Sequence, residues 1–245
     1  MFQEVEKIWS DGSEDYDKVV HYQLSRKKDV QHWLNALSSA LGGKTGLDVM
    51  DVGCGPGFFS IMLLRLGESV TSVDGAEGMV QCAKRNIRAA GYRDNVRLSD
   101  AVLLPGENRE SYDAIVSRDV VWTLYDPETA FAQWAELLRP GGRIVIYDGN
   151  YYYEAGSVKR TLWRWLANVL IFFTEHRVRV QKKTVLSEQP MCKCKRPEKD
   201  VELLERVGLK IVSAERDDYR CSGLLHLKYG WQADPFYIIA EKPPA

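Results

Sequence analysis

The chain has almost no net charge, and this limits the partners it can have. It holds 33 Lys and Arg against 34 Asp and Glu, a formal net charge of −1 over 245 residues. This balance argues against a protein that coats nucleic acid along its whole surface. With 45% hydrophobic and 27% charged residues, the chain is not of the disordered class, and its length suits one large α/β domain.

The sequence also lacks a regular pattern of cysteine or histidine. Its five cysteines are irregularly spaced, which gives no disulfide framework. None of the four histidines has a partner at metal-ligand spacing, and Cys192-Lys193-Cys194 has no second pair nearby. We therefore predict no metal site. The first residues are polar and acidic, unlike a signal peptide, and we expect a reducing, cytoplasmic location.

No apolar run is long enough to span a bilayer. The longest candidate, Thr161 to Phe173, falls short of the roughly 20 residues that a spanning helix needs. We predict a helix that packs on the domain or lies at an interface, which leaves a homodimer open. Before the first predicted strand, apolar residues from Val30 to Leu41 recur at helical spacing. They predict an N-terminal helix, preceded by an irregular piece around Ser10 to Asp17.

The most informative motif is a glycine turn between a predicted strand and a predicted helix. Gly53, Gly55 and Gly57 stand between the apolar strand 47–50 and the apolar helix 58–66. Glycine lets the backbone approach a ligand closely, and the helix N-terminus offers unpaired N–H groups. The dinucleotide fingerprint G-x-G-x-x-G needs a third glycine where this chain has Phe58. The turn therefore favours a nucleoside cofactor other than a dinucleotide.

Acidic residues end the strands that follow. Predicted strands 69–74 and 95–100 finish at Asp74 and Asp100, and a fourth strand spans 112–117. Asp74 lies 21 residues after Gly53, close to the offset at which an acid meets ribose hydroxyls. A helix end, the turn Pro140-Gly141-Gly142 and a fifth strand to Asp148 complete the series.

This series, from about residue 47 to 148, resembles a class I S-adenosylmethionine (SAM)-dependent methyltransferase of the small-molecule, bacterial type. The resemblance implies an α/β fold with a doubly wound, mostly parallel seven-stranded sheet, an antiparallel last strand and a helical cap insertion. It implies one domain with an N-terminal helical lid (1–46), a SAM-binding core (47–148), a cap (151–198) and a C-terminal helix with strands (199–245).

The resemblance also implies which residues hold SAM. Asp74 would accept hydrogen bonds from the ribose, Asp100 with Ala101 would lie by the adenine, and Tyr16 would close over the cofactor from the lid. Asp100 could instead cap its strand. Arg118 would pair with the SAM carboxylate or an anionic substrate, or form a surface ion pair with Asp119. The full implied set is Tyr16, Asp51, Gly53, Cys54, Gly55, Gly57, Asp74, Gly75, Asp100, Ala101, Ser117 and Arg118.

The acceptor side is harder to assign. Aromatic and amide side chains after strands four and five could wall a substrate pocket, with one more in the lid: Tyr22, Trp122, Asn150, Tyr151, Tyr152 and Tyr153. Ordinary packing explains at least one of the tyrosines. Candidate general bases are His21, Asp119 and His226.

The expected activity is methyl transfer from SAM to an O, N or S nucleophile of a small molecule, with S-adenosylhomocysteine as product. In-line displacement depends mainly on alignment, which agrees with the absence of a catalytic triad from the sequence. Two alternatives stay open. The basic segment 176–199 could hold RNA, which would make the chain an RNA methyltransferase, or the chain could be a non-catalytic SAM sensor.

Overall fold

A computed structural model describes residues 2–153, 158–176, 184–219, 227 and 233–244. It contains a seven-stranded sheet whose strands, in chain order, are β1 Asp48–Val52, β2 Ser69–Asp74, β3 Val96–Leu98, β4 Tyr112–Arg118, β5 Leu138–Gly149, β6 Lys210–Arg216 and β7 Pro235–Glu241. The spatial order is β3-β2-β1-β4-β5-β7-β6. Only β7 runs antiparallel to its neighbours, so the predicted fold class is confirmed.

Helices lie on both faces of this sheet. Those in the described part are α1 Phe2–Asp11, α2 Ser13–Ser25, α3 Lys27–Ala40, α4 Phe58–Leu66, α5 Glu77–Ala89, α6 Pro127–Leu137, α7 Val158–Glu175 and α8 Glu198–Arg206. Trp134 and Phe131 of α6 fill the core on one face of the sheet, and Trp33 of α3 with Phe59 of α4 fill the other. Chain order reverses between β1 and β4, so the carboxyl ends of these strands flank a crevice, where ligands of open α/β sheets bind.

The N-terminal region differs from the prediction. The piece around Ser10 to Asp17 is helical, and three helices precede β1 instead of one. A break at Gly12 separates α1 from α2. Glu14 and Asp15 lie in the first turn of α2, where acidic side chains stabilise the positive end of a helix, and this gain was not recognised in the sequence.

A buried ion cluster fastens the cap to the end of β5. Arg196 donates to Asp148 at 2.9 Å and to both oxygens of Asp200, and all three side chains are buried. Burial raises the pKa of Asp148 to about 7, against the opposing effect of Arg196. The side-chain amide of Asn150 bonds the backbone N–H and C=O of Arg196. Breaking such a cluster leaves a buried charge without its partner, which is strongly destabilising. These contacts therefore fix the position of the cap.

The segment Thr161 to Phe173 forms the middle of α7. No helix in the described ranges combines the length and apolar character required to cross a membrane.

Candidate cofactor and substrate site

A cavity opens at the carboxyl edge of β1, β2 and β4, beneath the N-terminal helices. Sequence-predicted residues supply one part of its lining: Tyr16, Asp51, Gly53, Cys54, Gly55, Asp74, Gly75, Asp100, Ala101, Arg118 and Asp119. The remaining lining residues are Val5, Glu6, Trp9, Val20, Gln23, Pro56, Phe58, Phe59, Ala76, Met79, Val102, Val120, Thr123, Leu124 and Tyr125.

The glycine turn is held by backbone hydrogen bonds and by close packing. The N–H groups of Gly53 and Cys54 donate to the carbonyl of Val73, at 2.8 and 3.0 Å. Gly53, Gly55 and Gly57 all have positive φ, which glycine adopts without steric cost. A Cβ on Gly53 would lie 2.2 Å from Cγ2 of Val120, so the turn must lack a side chain for the segment after β4 to pack against it.

Asp74 joins two of the turns that form the cavity. Its Oδ2 accepts the N–H of Gly55 at 2.8 Å, and its Oδ1 accepts the N–H of Ala76 at 2.9 Å. Each carboxylate oxygen can accept a further bond, so the group can still receive hydroxyl donors from a ligand. Burial raises the pKa of Asp74 to about 6, opposed by these two backbone bonds.

Asp51 is the buried carboxylate of the lining, with 1% of its surface exposed. Its Oδ2 accepts from the hydroxyl of Ser60 at 2.5 Å, and that hydroxyl in turn accepts from Ser72 at 2.8 Å. Burial raises the pKa of Asp51 to about 7, and nearby Asp74 raises it further. Asp51 and Asp74 can therefore both gain or lose a proton close to neutral pH.

Asp100 makes two internal hydrogen bonds. Its Oδ1 accepts the N–H of Val102 at 2.7 Å, and its Oδ2 accepts the hydroxyl of Tyr125 at 2.7 Å. The first bond is that of a strand-end cap, one of the two roles expected from the sequence. The carboxylate also lines the cavity, so it can act as a cap and still face a ligand.

Arg118 lies on an aromatic bed. Its guanidinium carbon is 4.7 Å from the ring centre of Trp33, and the rings of Phe58 and Phe59 are also within 5.4 Å. Its Nε is 3.6 Å from Asp119. Among the described lining residues Arg118 is the single cation, beside the five acids Glu6, Asp51, Asp74, Asp100 and Asp119. The cavity as a whole therefore suits a ligand that is mainly cationic and carries one anionic group.

Helices α1 and α2 cover the cavity and are fastened to α5. The N–H of Gly78 donates to the hydroxyl of Ser10 at 2.9 Å, and Arg85 bonds both Glu14 and Asp17. The amide of Asn86 reaches Asp17 at 2.5 Å and the carbonyl of Pro56 at 2.9 Å, which links the lid to the glycine turn.

Glu14, Asp17 and Cys82 lie close enough to share an ion. The guanidinium of Arg85 already bonds all three, so the positive charge there is supplied by the protein.

Aromatic rings connect the lid with the cap. Trp9 of α1 meets Tyr16 and Trp122 edge to face, each with ring centres 6.1 Å apart. Trp122 in turn packs against Tyr151 at 4.6 Å and Tyr152 at 5.9 Å. Burial raises the pKa of Tyr16 to about 12, so its hydroxyl stays protonated.

Asp119 connects this aromatic group with the cavity. It has φ +58°, uncommon for a residue with a side chain, and its carboxylate accepts a short hydrogen bond from the hydroxyl of Tyr151. Its backbone carbonyl accepts the indole N–H of Trp122 at 2.9 Å. Trp122 and Tyr151 thus set the position of Asp119 from outside the cavity lining.

Several predicted residues lie elsewhere. The hydroxyl of Tyr22 accepts a bond from Arg26, the carbonyl of Tyr153 accepts one from Arg160, and Asn150 is engaged with the backbone of Arg196. His21 is exposed beside Asp17. Gly57 packs on α5, and Tyr152 lies behind Trp122.

Ser117, His226 and the basic segment 176–199 are the remaining predicted sites. The buried hydroxyl of Ser117, at the end of β4, has no hydrogen-bond partner within the described ranges. His226 lies outside the described residues. So does 177–183, which holds much of the basic segment proposed for RNA.

Trp9 of α1 was noticed in the sequence as a possible pocket aromatic, but Val5 and Glu6 were missed. Val5 and Trp9 are four residues apart on one side of the helix, and Glu6 lies between them close to Gly75. Their helical spacing is the signal that could have found them. Gln23, Thr123 and Tyr125 had no comparable signal, because each reaches the cavity through tertiary packing.

Comparison with known proteins is consistent with this geometry. Residues 50–146 match the family described as "Methyltransferase domain". The "Ubiquinone biosynthesis O-methyltransferase" of Xanthomonas axonopodis pv. citri is 33% identical over 131 residues, 54% of this chain and 55% of that protein. The chain thus spans about half the length of the curated relatives it matches.

Solved structures share the fold over a longer stretch. A protein from Methanococcus maripaludis, described as S-adenosyl-L-methionine-dependent methyltransferase, superimposes with a TM-score of 0.62 and 21% identity, covering 96% of this chain and 94% of that one. Phosphoethanolamine N-methyltransferase 2 of Haemonchus contortus, in complex with S-adenosyl-L-methionine, gives 0.61 and 17%, covering 88% and 53%.

The close packing of Val120 against Gly53 should make Gly53 harder to replace than a glycine with free space around it. Gly53→Ala adds a strained φ and a clash between the new Cβ and Val120. Gly43→Ala adds the strain alone, because Gly43 has nearly the same φ and no atom within 4 Å of the position of a Cβ. We expect Gly53→Ala to lower the free energy of unfolding by about 1–3 kcal/mol more than Gly43→Ala, measured by urea denaturation. Adding Val120→Ala should restore most of that difference. Equal losses in the two single variants would contradict the packing argument.

Proposed function

We propose that this chain, whose residues 50–146 match a methyltransferase domain, is a class I SAM-dependent methyltransferase and transfers a methyl group from SAM to an O, N or S nucleophile of a small molecule. The observation that carries the proposal is the cavity, whose lining combines a glycine turn, five acids and one arginine. When bound, SAM supplies a methyl group on a positively charged sulfur, which the acceptor displaces in line. The residues of the protein have to bind SAM and the methyl acceptor, align the two and exclude water.

The lining fits the cofactor in charge. SAM carries a sulfonium, an ammonium and one carboxylate, which matches an acid-rich cavity with a single guanidinium. We assign the carboxylate to Arg118 and the ribose hydroxyls to Asp74, which accepts bonds through both oxygens. Gly55 has φ +52° and contacts the ring of Tyr16, so the lid reaches the bare backbone of the glycine turn there.

We assign the role of proton acceptor to Asp119. It lines the cavity, and the hydroxyl of Tyr151 and the guanidinium of Arg118 orient it. A carboxylate held in this way can take a proton from the nucleophile of the methyl acceptor as the new bond to the methyl carbon forms. The curated relatives are named for O-methylation in ubiquinone biosynthesis, which favours oxygen as the acceptor atom.

The activity can be tested without knowing the acceptor. SAM labelled in its methyl group is incubated with the purified chain and a cell extract that contains metabolites and RNA. The products are separated into a small-molecule fraction and an RNA fraction, and the labelled small molecules are identified by mass spectrometry. We expect S-adenosylhomocysteine and a labelled small molecule in equal amounts. Binding of SAM with no turnover would favour the sensor alternative, and label in the RNA fraction would favour the nucleic-acid one.

Loss of the Asp74 carboxylate should affect the cofactor directly. We expect Asp74→Ala to weaken SAM binding at least about tenfold by calorimetry, since charged hydrogen bonds are worth about 1.5–3 kcal/mol each. Asp94→Ala, which removes an acid paired with Arg88 away from the cavity, is the control and should bind normally. Unchanged affinity in a folded Asp74→Ala protein would rule out the ribose assignment.

Affinity for SAM should also depend on pH. A cationic ligand binds best when Asp74 and Asp51 are ionised, so affinity should fall as the pH drops through about 7 and about 6, where these carboxyls take up protons. We expect a loss of about tenfold or more between pH 8 and pH 5, measured by calorimetry. Asp51→Asn should remove the upper part of this profile. A flat wild-type profile would mean that the cofactor's positive groups lie elsewhere.

Protonation of Asp51 and Asp74 does not itself favour unfolding. Both pKa values are raised above the ordinary value of 3.8, so the folded chain binds more protons than the unfolded chain between that value and about 7. The contribution of these two groups to stability therefore increases as the pH falls through this window. Circular dichroism at pH 5 checks that the fold persists.

A further inference from the structure

Glu6 of α1 is a partly buried acid that lines the cofactor cavity from the lid. Its Oε1 lies 3.3 Å from the position that a Cβ would take on Gly75, the residue directly after Asp74. Among the residues that the structure describes, none forms a hydrogen bond or an ion pair with the Glu6 carboxylate. Both of its oxygens can therefore accept hydrogen bonds from a ligand.

The position of Glu6 is set by close packing between α1 and the first turn of α5. Ser10 follows Glu6 by four residues, so the two side chains lie on the same side of the helix. The hydroxyl of Ser10 accepts the N–H of Gly78 at 2.9 Å. A Cβ on Gly78 would lie 2.6 Å from the carbonyl oxygen of Ser10, so α1 rests on bare backbone here. This contact keeps Glu6 beside Gly75.

Two other acids of the lining, Asp74 and Asp100, lie within electrostatic reach of Glu6. Burial raises the pKa of Glu6, and Asp100 raises it further. Burial also raises the pKa of Asp74, and Glu6 adds to that effect. Each oxygen of Asp74 and of Asp100 already accepts one hydrogen bond from the protein. The three carboxylates thus border one part of the cavity, which a ligand rich in hydrogen-bond donors would stabilise.

We propose that the carboxylate of Glu6 accepts a hydrogen bond from the nucleoside half of SAM, so that the lid helix α1 contributes directly to cofactor affinity. A nucleoside offers donors in its ribose hydroxyls and its adenine amine, and an ionised carboxylate is a strong acceptor for them. The inference rests on the proposed function, because it adds one residue to the same cofactor site, beside the ribose assigned to Asp74. The amino-acid half of SAM is assigned to Arg118, on its aromatic bed.

Calorimetry with two ligands tests this contact. One is SAM, and the other is 5′-methylthioadenosine, which keeps the nucleoside but lacks the sulfonium charge and the amino-acid half. We expect Glu6→Ala to weaken the binding of both ligands about tenfold, because a charged hydrogen bond is lost. Glu6→Gln keeps one acceptor oxygen and should give a smaller loss. The control Glu4→Ala removes an exposed acid of the same helix, outside the lining, and should bind both ligands like the wild type.

Thermal unfolding separates a binding role from a structural one. Because Glu6 has no bond to lose in the described part of the chain and has two acids nearby, Glu6→Ala should leave the melting temperature of the ligand-free protein unchanged or raise it. The increase in melting temperature that a fixed concentration of SAM produces should be smaller in Glu6→Ala than in the wild type, because the affinity is lower.

Four results would overturn the proposal. Glu6→Ala could bind both ligands as tightly as the wild type, or lose affinity for SAM alone, which would mean that Glu6 acts on the sulfonium charge. The wild type could bind SAM but not 5′-methylthioadenosine, or the ligand-free Glu6→Ala protein could melt well below Glu4→Ala, which would make the role of Glu6 structural. Failure of the proposed function gives a different result: a wild type that binds SAM without methyl transfer contradicts the activity, while the Glu6 variants still report on the contact.

Discussion

The cavity depends on the two hydrogen bonds that the carboxylate of Asp74 accepts from backbone N–H groups. The two oxygens of this carboxylate bond the N–H groups of Gly55 and Ala76, so one side chain at the end of β2 fixes both the glycine turn after β1 and the start of α5. Burying this charge is costly, and its raised pKa reflects that cost. The two backbone donors offset part of it. A cationic ligand would offset more, so the same group that shapes the cavity also makes it selective for positive charge.

The lid depends on the same turn through a second route. Asp17 of α2 bonds the amide of Asn86, and that amide also donates to the carbonyl of Pro56 in the glycine turn. Because the Asn86 amide contacts both the lid and the turn, movement of α2 away from α5 would remove the Asp17 bond that helps to orient the amide held against Pro56. Covering the cavity and ordering its floor are thus coupled in this structure.

Sequence reasoning succeeded where local patterns determine structure. The predicted strand 69–74 and helix 58–66 match β2 and α4. For the helix, a mostly apolar run of nine residues leaves few alternatives. It failed around Gly12, where a single break divides two helices. For the site, acids at strand ends could be found because parallel strands bring their carboxyl ends together. Gln23 and Tyr125 could not, because only tertiary packing brings them to the cavity.

The residues near the proposed proton acceptor Asp119 could not be predicted from the sequence either, because tertiary packing brings them together. Asp119 faces the cavity, but Tyr151 and Trp122 orient it, and Trp122 contacts Trp9 of the lid. The backbone N–H of Trp122 also donates to Asp148, which the cap residue Arg196 holds. The position of one carboxylate therefore depends on lid, core and cap together. A change in the cap sequence can therefore alter the surroundings of Asp119, the proposed proton acceptor, without altering the glycine turn. This explains why the cofactor can be inferred from a short motif and the methyl acceptor cannot.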